Sequence, residues 1–277
     1  MARMVTKCIF CGRSDLSREH VWSSWMHQFI RKPHKPQKHI RRVFSTSVRT
    51  GVRRQTGAII KPGDIISLKL KVVCGNHCNA GWMSRIENRV KPILTPLLLG
   101  LPTTLPKYSQ EVLATWVAMK LMTAEFSTPD NITTPALERS LLMGRQRPPD
   151  DIMRIWIGRY QGNAWGNVYY SHGAAVAWAP AGTVPIVTPE NSKRRTVQAQ
   201  TLFMGQLFIQ AVTSMVPQIK MQTPLPFAHH LKQIWPYSRE LSWPPEIPIN
   251  DFVANFLATG FDRFASQLPI APRAPDE

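Results

Sequence analysis

All four cysteines of this chain lie in two short pairs, and these pairs constrain its fold more than any other feature. Cys8-x2-Cys11 lies near the start of the chain, and Cys74-x3-Cys78 follows after a long interval. Each short loop can turn two sulfur atoms towards one ion, and two such loops complete a tetrahedral site of four thiolates. The spacing therefore predicts a structural zinc ion that joins two distant segments.

Other uses of these cysteines stay open at this stage. They could be four unrelated buried thiols or form two disulfides, and His77 could replace one sulfur of the second pair. Residues 1–7 lack the apolar segment of a signal peptide, so we expect a cytoplasmic protein. Because the cytosol is reducing, that location favours a metal site over disulfides.

A group of polar residues follows each cysteine pair. Glu19-His20 comes after the first pair, and Asn79-Ala-Gly-Trp-Met-Ser-Arg-Ile-Glu87 begins directly after the second. A cysteine pair, an acidic residue beside a histidine, and a second pair that leads through asparagine into a helix resemble the HNH endonucleases. The resemblance covers roughly residues 5–95, and it is strongest for a subgroup found in bacterial and mobile-element proteins.

The resemblance implies a ββα-metal fold and a set of catalytic roles. It makes His20 the general base, Glu19 a ligand of a catalytic Mg²⁺ or Mn²⁺ ion, and Asn79 the brace of the segment that holds the base. The second ligand falls nine positions after the asparagine, at Asn88, where the superfamily usually has histidine. The chain would then be an H-N-N variant, and Glu87 is the competing ligand.

The distribution of charge predicts a polyanionic partner. Residues 1–100 hold 19 Lys and Arg against 4 Asp and Glu, a net +15 of the total +17. The 15 Lys and Arg of residues 101–277 are nearly balanced by 13 Asp and Glu. Neutralisation of phosphates by such a basic segment makes binding salt-dependent. Together with the resemblance, this indicates nucleic acid, and double-stranded DNA in particular.

Residues 31–61 are a strongly basic insertion between the two halves of the predicted site. Prolines at 33 and 36 keep its first part out of a helix, and residues 39–48 alternate loosely, as in a strand. The insertion is interpreted as an arm or hairpin that contacts phosphates, and the alternative is a solvated loop. The candidate nucleic-acid contacts are Arg41, Arg42, Arg53 and Arg54.

The periodicity of the remaining chain predicts an α+β protein of two domains. In residues 1–97, a small zinc-stapled HNH-like domain, we expect a strand, the first cysteine loop and a turn at Gly12 within 5–13, then a helix at 21–29, a strand at 65–73 and a helix at 81–94. Prolines 96, 102 and 106 indicate a linker. The α+β accessory domain of residues 98–277 has predicted helices at 109–126, 134–143 and 251–264, and predicted strands at 153–160, 167–178 and 197–213, the last broken near Gly205.

These features predict a metal-dependent endonuclease that hydrolyses phosphodiester bonds in DNA. One alternative is a zinc-containing nucleic-acid-binding protein without catalysis, and another is a structural or interaction protein whose main part is residues 101–277. No apolar run reaches the length of about 18 residues that a membrane span needs. A homodimer is compatible with the sequence, which does not determine the oligomeric state.

Overall fold

The structure is a computed structural model that describes residues 5–30, 38–46, 53–62, 67–128, 132–178, 185–187, 195–219 and 227–269, with the backbone alone for 38–46 and 53–62. Helices and strands are mixed throughout, which confirms the α+β class. None of the helices in these ranges is both long enough and apolar enough to cross a membrane.

The first cysteine loop leads into a short strand and then into a basic hairpin. Strand β1 is Leu16–His20, and a single 3₁₀ helix, Ser24–Gln28, follows it where the apolar spacing predicted a longer α-helix. No strand forms in residues 5–13, so that part of the prediction is wrong, but the predicted turn at Gly12 is present, with φ +75°. Strands β2 (Lys38–Thr46) and β3 (Arg53–Pro62) pair antiparallel, which confirms the predicted hairpin.

Strand β4 (Lys69–Cys74) pairs antiparallel with β1 and ends at the second cysteine loop. Backbone hydrogen bonds fasten both cysteine loops to this small sheet. Ile9 N donates to Val72 O at 3.0 Å, and Gly75 N donates to Asp15 O at 3.0 Å. The two loops are therefore held side by side.

A wide helical turn, Gly75–Met83, continues into helix α1, Ser84–Leu99. This helix passes through Pro92 and Pro96, so the linker predicted from residue 95 is wrong. Pro92 removes the hydrogen bond to the carbonyl of Asn88, but both residues are exposed, and water can satisfy that carbonyl. The helix persists because its inner face is buried, through Ile86, Val90, Leu94, Leu97 and Leu98.

Helix α2 is the central element of the fold. After strand β5 (Thr103–Leu105), α2 runs from Lys107 to Ala124, and every residue from Val112 to its end is buried. A helix that is apolar on all sides requires neighbours on all sides. It packs against α1, against β4 and a later strand, β12 (Lys232–Trp235), and against helix α3, Ala136–Arg145.

The second half of the chain forms an antiparallel sheet of five strands in the order β12-β6-β11-β10-β7. Gly205, with φ +56°, makes the tight turn between β10 and β11, which confirms the predicted break. The strands of this region are β6 (Met153–Arg159), β7 (Val168–Ala174), β8 (Val176–Trp178), β9 (Pro185–Val187), β10 (Val197–Met204), β11 (Leu207–Ser214), β12 (Lys232–Trp235) and β13 (Leu241–Trp243).

Alternate residues of this sheet enter two different cores. Ile155 and Ile209 join a core with α1 and α2, whereas Trp156 and Phe208 join a core with helices α4 (Asp251–Ala258) and α5 (Gly260–Gln267). The first core also contains the residues around Cys8 and Cys74. One core thus spans the boundary predicted between residues 97 and 98, which itself lies inside α1.

Candidate functional site

The four cysteines form one compact cluster. Their sulfur atoms all lie within 4.8 Å of one another, with Cys8 3.6 Å from Cys78 and Cys11 3.3 Å from Cys74. Four sulfurs bound to a tetrahedral zinc ion at about 2.3 Å lie roughly 3.8 Å apart. The cluster therefore fits a metal ion such as zinc, and the chain's free thiols are all in it.

The thiols of this cluster affect one another's protonation. Hydrogen bonding between Cys8 and Cys78 lowers the pKa of Cys8 to about 4 and raises that of Cys78, and burial raises the pKa of Cys11. Because the thiolate is the form that binds metal ions, the shift at Cys8 favours metal binding and the shifts at Cys11 and Cys78 oppose it. His77, the alternative ligand, is exposed and lies outside the cluster.

A second polar cluster joins three segments at the other end of β1. The ammonium group of Lys120, on α2, contacts Oε1 of Glu19 on β1 and lies 2.6 Å from Oε1 of Glu87 on α1. It also donates to the backbone carbonyl of His20 at 3.1 Å. Ser23 donates its hydroxyl to the same oxygen of Glu87. Glu19 and Glu87 are thus brought together, with a lysine between them.

Burial makes the charges of this cluster interdependent. The Lys120 side chain is 2% exposed and that of Glu19 is 8% exposed. Burial raises the pKa of Glu19, against the opposing attraction of Lys120. Burial by itself lowers the pKa of Lys120, but the two carboxylates outweigh it and raise this pKa, so the ammonium stays charged at neutral pH.

His20 is half-buried at the end of β1, directly opposite Lys69 of β4. Burial lowers its pKa, as do the charges of Lys69 and Lys120, while Glu87 acts in the opposite direction. The ring of His27 lies 6.4 Å away, centroid to centroid. The imidazole is therefore neutral at pH 7, the state that can accept a proton.

Asn79 connects the second cysteine loop to the strand that carries Glu19 and His20. Its side-chain amide donates to the hydroxyl of Ser17 at 3.1 Å and to the carbonyl of Arg18 at 3.5 Å. Both acceptors precede Glu19 directly in β1. This contact fixes the position of the strand relative to the loop.

Asn88 does not join this arrangement. It is exposed on α1, and its side-chain oxygen accepts from Lys91 at 3.1 Å. Of the two alternatives for the partner of Glu19, the structure places Glu87 beside it.

The outer face of the β1–β4 sheet is a cationic surface. Arg18 lies opposite Lys71, and His20 lies opposite Lys69, so these four side chains share one face while Glu19 points inwards. Arg18, Lys69 and Lys71 are exposed, and none of them forms an ion pair within the described residues. Like charges directly opposite each other destabilise a sheet, and an anion bound here would relieve the repulsion.

The side chains of Arg41, Arg42, Arg53 and Arg54, the nucleic-acid contacts predicted from the sequence, lie outside the described residues. Their backbone positions are in the β2–β3 hairpin, where Arg42 pairs with Ala58 and Arg53 with Thr46. Arg18, Lys69 and Lys71 were not predicted. Their signal in the sequence was the alternation of basic residues on two strands that flank the candidate site.

Lys120 is the site residue that sequence reasoning missed. It lies in a helix predicted from its apolar residues, and a single lysine in an otherwise apolar stretch was the available signal, because a buried lysine requires a partner.

Comparison of the chain with known protein families, with curated proteins and with solved structures found no match.

Proposed function

We propose that this chain is an endonuclease that cleaves phosphodiester bonds in DNA, with His20 as the general base. The observation that carries the proposal is a neutral, half-buried imidazole on a sheet face with three exposed cationic side chains that have no ion-pair partner among the described residues. The cations provide a place for a phosphodiester, and the imidazole provides a proton acceptor next to it. The resemblance of residues 5–95 to the HNH endonucleases is the reason for assigning nuclease activity to this surface.

The cysteine cluster acts as a structural zinc site in this proposal. Four thiolates leave no open position for a substrate on a tetrahedral ion. Zinc held by Cys8, Cys11, Cys74 and Cys78 joins the start of β1 to the end of β4 and so sets His20 opposite Lys69. Asn79 acts as the brace between the same two segments.

The predicted Mg²⁺ or Mn²⁺ ion does not fit the residues assigned to it. Lys120 already lies between Glu19 and Glu87, and Asn88 faces away from both. No step of the proposed reaction is therefore assigned to an ion at this pair. The two carboxylates hold their segments in place through Lys120.

The chemistry assigned to the chain's own residues is limited to two roles. His20 accepts a proton from a water molecule as that water attacks phosphorus. Arg18, Lys69 and Lys71 offset the negative charge of the phosphate, which increases as the new P–O bond forms. Cleavage of the P–O bond opposite the attacking water then releases one strand end.

Incubation of supercoiled plasmid with the zinc-loaded protein tests this function. We expect nicking by the wild type and by His229→Ala, an exposed histidine far along the chain, and its loss in His20→Ala. Each protein should be assayed with Mg²⁺, with Mn²⁺ and with EDTA. Equal nicking by the wild type and His20→Ala would show that His20 is not the base.

A second candidate function is DNA binding without cleavage. The compensation of Glu19 and Glu87 by a buried lysine favours it, because a site without a free carboxylate pair lacks the usual means of holding a catalytic ion. It predicts tight, salt-dependent binding to DNA by both the wild type and His20→Ala, with intact plasmid under all three conditions.

A further inference from the structure

We propose that Lys120 is the resident cation of the Glu19–Glu87 pair and excludes a divalent metal ion from it. An ammonium group has three N–H donors. Here the three acceptors are Oε1 of Glu19, Oε1 of Glu87 and the carbonyl of His20. Every donor of Lys120 therefore has a partner, and these partners come from β1 and α1.

The position of the ammonium leaves no room for an ion between the carboxylates. Mg²⁺ binds oxygen at about 2.0–2.1 Å with nearly ideal octahedral geometry. The nitrogen of Lys120 lies 2.6 Å from Glu87 and is also in contact with Glu19, so an ion bound to both Oε1 atoms would occupy nearly the same place. Two cations cannot share that position, so the ion must first displace Lys120.

The surroundings of α2 oppose that displacement. Lys120 lies between Met119 and Leu121 on a helix whose residues are buried from Val112 to Ala124. An ammonium group moved away from Glu19 and Glu87 would remain in this apolar region without a counterion, which is strongly unfavourable. The metal ion would have to supply the free energy for this change as well as for its own dehydration.

Lys120 also does the structural work that a bridging ion would do. It connects β1, α1 and α2, and it holds the backbone of His20 directly. The inference does not depend on nuclease activity, because it concerns only which cation the pair holds. It would remain valid if the chain bound DNA without cutting it.

Direct Mn²⁺ titration of the zinc-loaded full chain, by calorimetry and by the electron paramagnetic resonance of free Mn²⁺, tests the inference. In Lys120→Met the two carboxylates lose their cation, and we expect Mn²⁺ affinity to rise about tenfold or more. Lys91→Met is the matched control, because it removes a half-buried lysine that contacts Asn88 on α1 and neither carboxylate of the pair. It should bind Mn²⁺ as the wild type does.

Glu19→Gln in the otherwise wild-type chain provides a test that does not require Lys120→Met to fold. If Lys120 excludes the ion, this variant binds Mn²⁺ no more weakly than the wild type. A clear loss of Mn²⁺ affinity in Glu19→Gln would overturn the inference, and so would a folded Lys120→Met with unchanged affinity. Plasmid cleavage is not used as a readout, so failure here is distinguishable from failure of the proposed function.

Discussion

The cysteine cluster and the Glu19–Lys120–Glu87 cluster hold the same two parts of the fold together with different chemical groups. Both connect the β1–β4 sheet to the segment that leads into or forms α1. The four thiols could hold a metal ion such as zinc, which would come from outside the chain. The two carboxylates receive their cation from the chain itself, on α2. The first connection would thus require a supply of metal, and the second forms when α2 packs against β1 and α1.

This difference determines what each cluster can do chemically. An external ion can be lost, exchanged or left with an open coordination position, whereas a lysine ammonium has a fixed number of donors. The second cluster lies closest to His20, yet all donors of its cation are used within the protein. It is therefore suited to positioning His20, and in the proposed function the exposed cations on the outer face of the sheet are the groups that contact DNA.

Loss of the metal clamp should have the largest effect. Cys8→Ser removes one thiolate, and structural zinc sites contribute about 10 kcal/mol or more of binding free energy to folding. We expect loss of bound zinc and of amide-exchange protection in residues 5–30 and 67–99. His77→Ala, in the same loop as Cys74 and Cys78, should keep both, as measured by metal analysis and hydrogen exchange. Zinc retained in Cys8→Ser would contradict the four-thiolate site.

Loss of the internal clamp should come next. Lys120→Met leaves Glu19 buried without a counterion, and breaking a buried pair in this way costs about 3–5 kcal/mol. Urea denaturation measures the change, and Lys91→Met, at a half-buried position 5.9 Å from the Trp25 ring centroid, should change the free energy of unfolding by about 1 kcal/mol or less. Adding Glu19→Gln to Lys120→Met should restore part of the loss. A small effect of Lys120→Met alone would mean that the ammonium is not the clamp.

The pH dependence of cleavage tests how the charges around His20 affect its pKa. Burial and then Lys69 lower the pKa of His20, so the base stays neutral and active below the ordinary value near 6.5. Lys69→Met should raise this pKa and move the acid limb of the rate profile to higher pH. Lys71→Met, opposite Arg18, should move it less. A shift to lower pH in Lys69→Met would contradict this electrostatic account.

Substitutions on the cationic face of the β1–β4 sheet should have the smallest effects. They should raise the stability of the fold and weaken the binding of DNA. Replacing Lys71 by Gln removes the like charge opposite Arg18 and should raise the free energy of unfolding by about 0.2–1 kcal/mol. The same change should reduce the slope of log affinity for DNA against log salt by about 1. Urea denaturation and binding titrations at several salt concentrations check both signs. An unchanged slope would place the phosphates elsewhere.

The parts of the fold that were predictable from the sequence depend on local patterns. The cysteine spacing located the metal cluster, and alternation located β4 and the β10–β11 hairpin with its turn at Gly205. These patterns reflect constraints between residues close in sequence or within one element. The helix at 107–124 was similarly evident from its apolar composition.

The errors occurred where distant packing decided the outcome. Pro96 was predicted to lie in a linker after the helix, but the buried face of α1 outweighs the lost backbone hydrogen bond and the helix continues to Leu99. The contact between Glu19 and Lys120 was not predicted, because nothing in the local sequence links Glu19 to a residue 101 positions later in the chain. Tertiary pairing of single charged residues leaves no periodic signal.

The burial of α2 also determines whether the first third of the chain can be produced as a separate fragment. A fragment that ends at residue 97 would keep the four cysteines, His20, Glu19 and Glu87. It would lack α2, which supplies Lys120 to the two carboxylates and covers the apolar face of α1. Such a truncated piece would expose Ile86, Val90 and Leu94 to water. Residues 1–97, the segment predicted to be a separate domain, therefore depend on residues from the rest of the chain to complete their core.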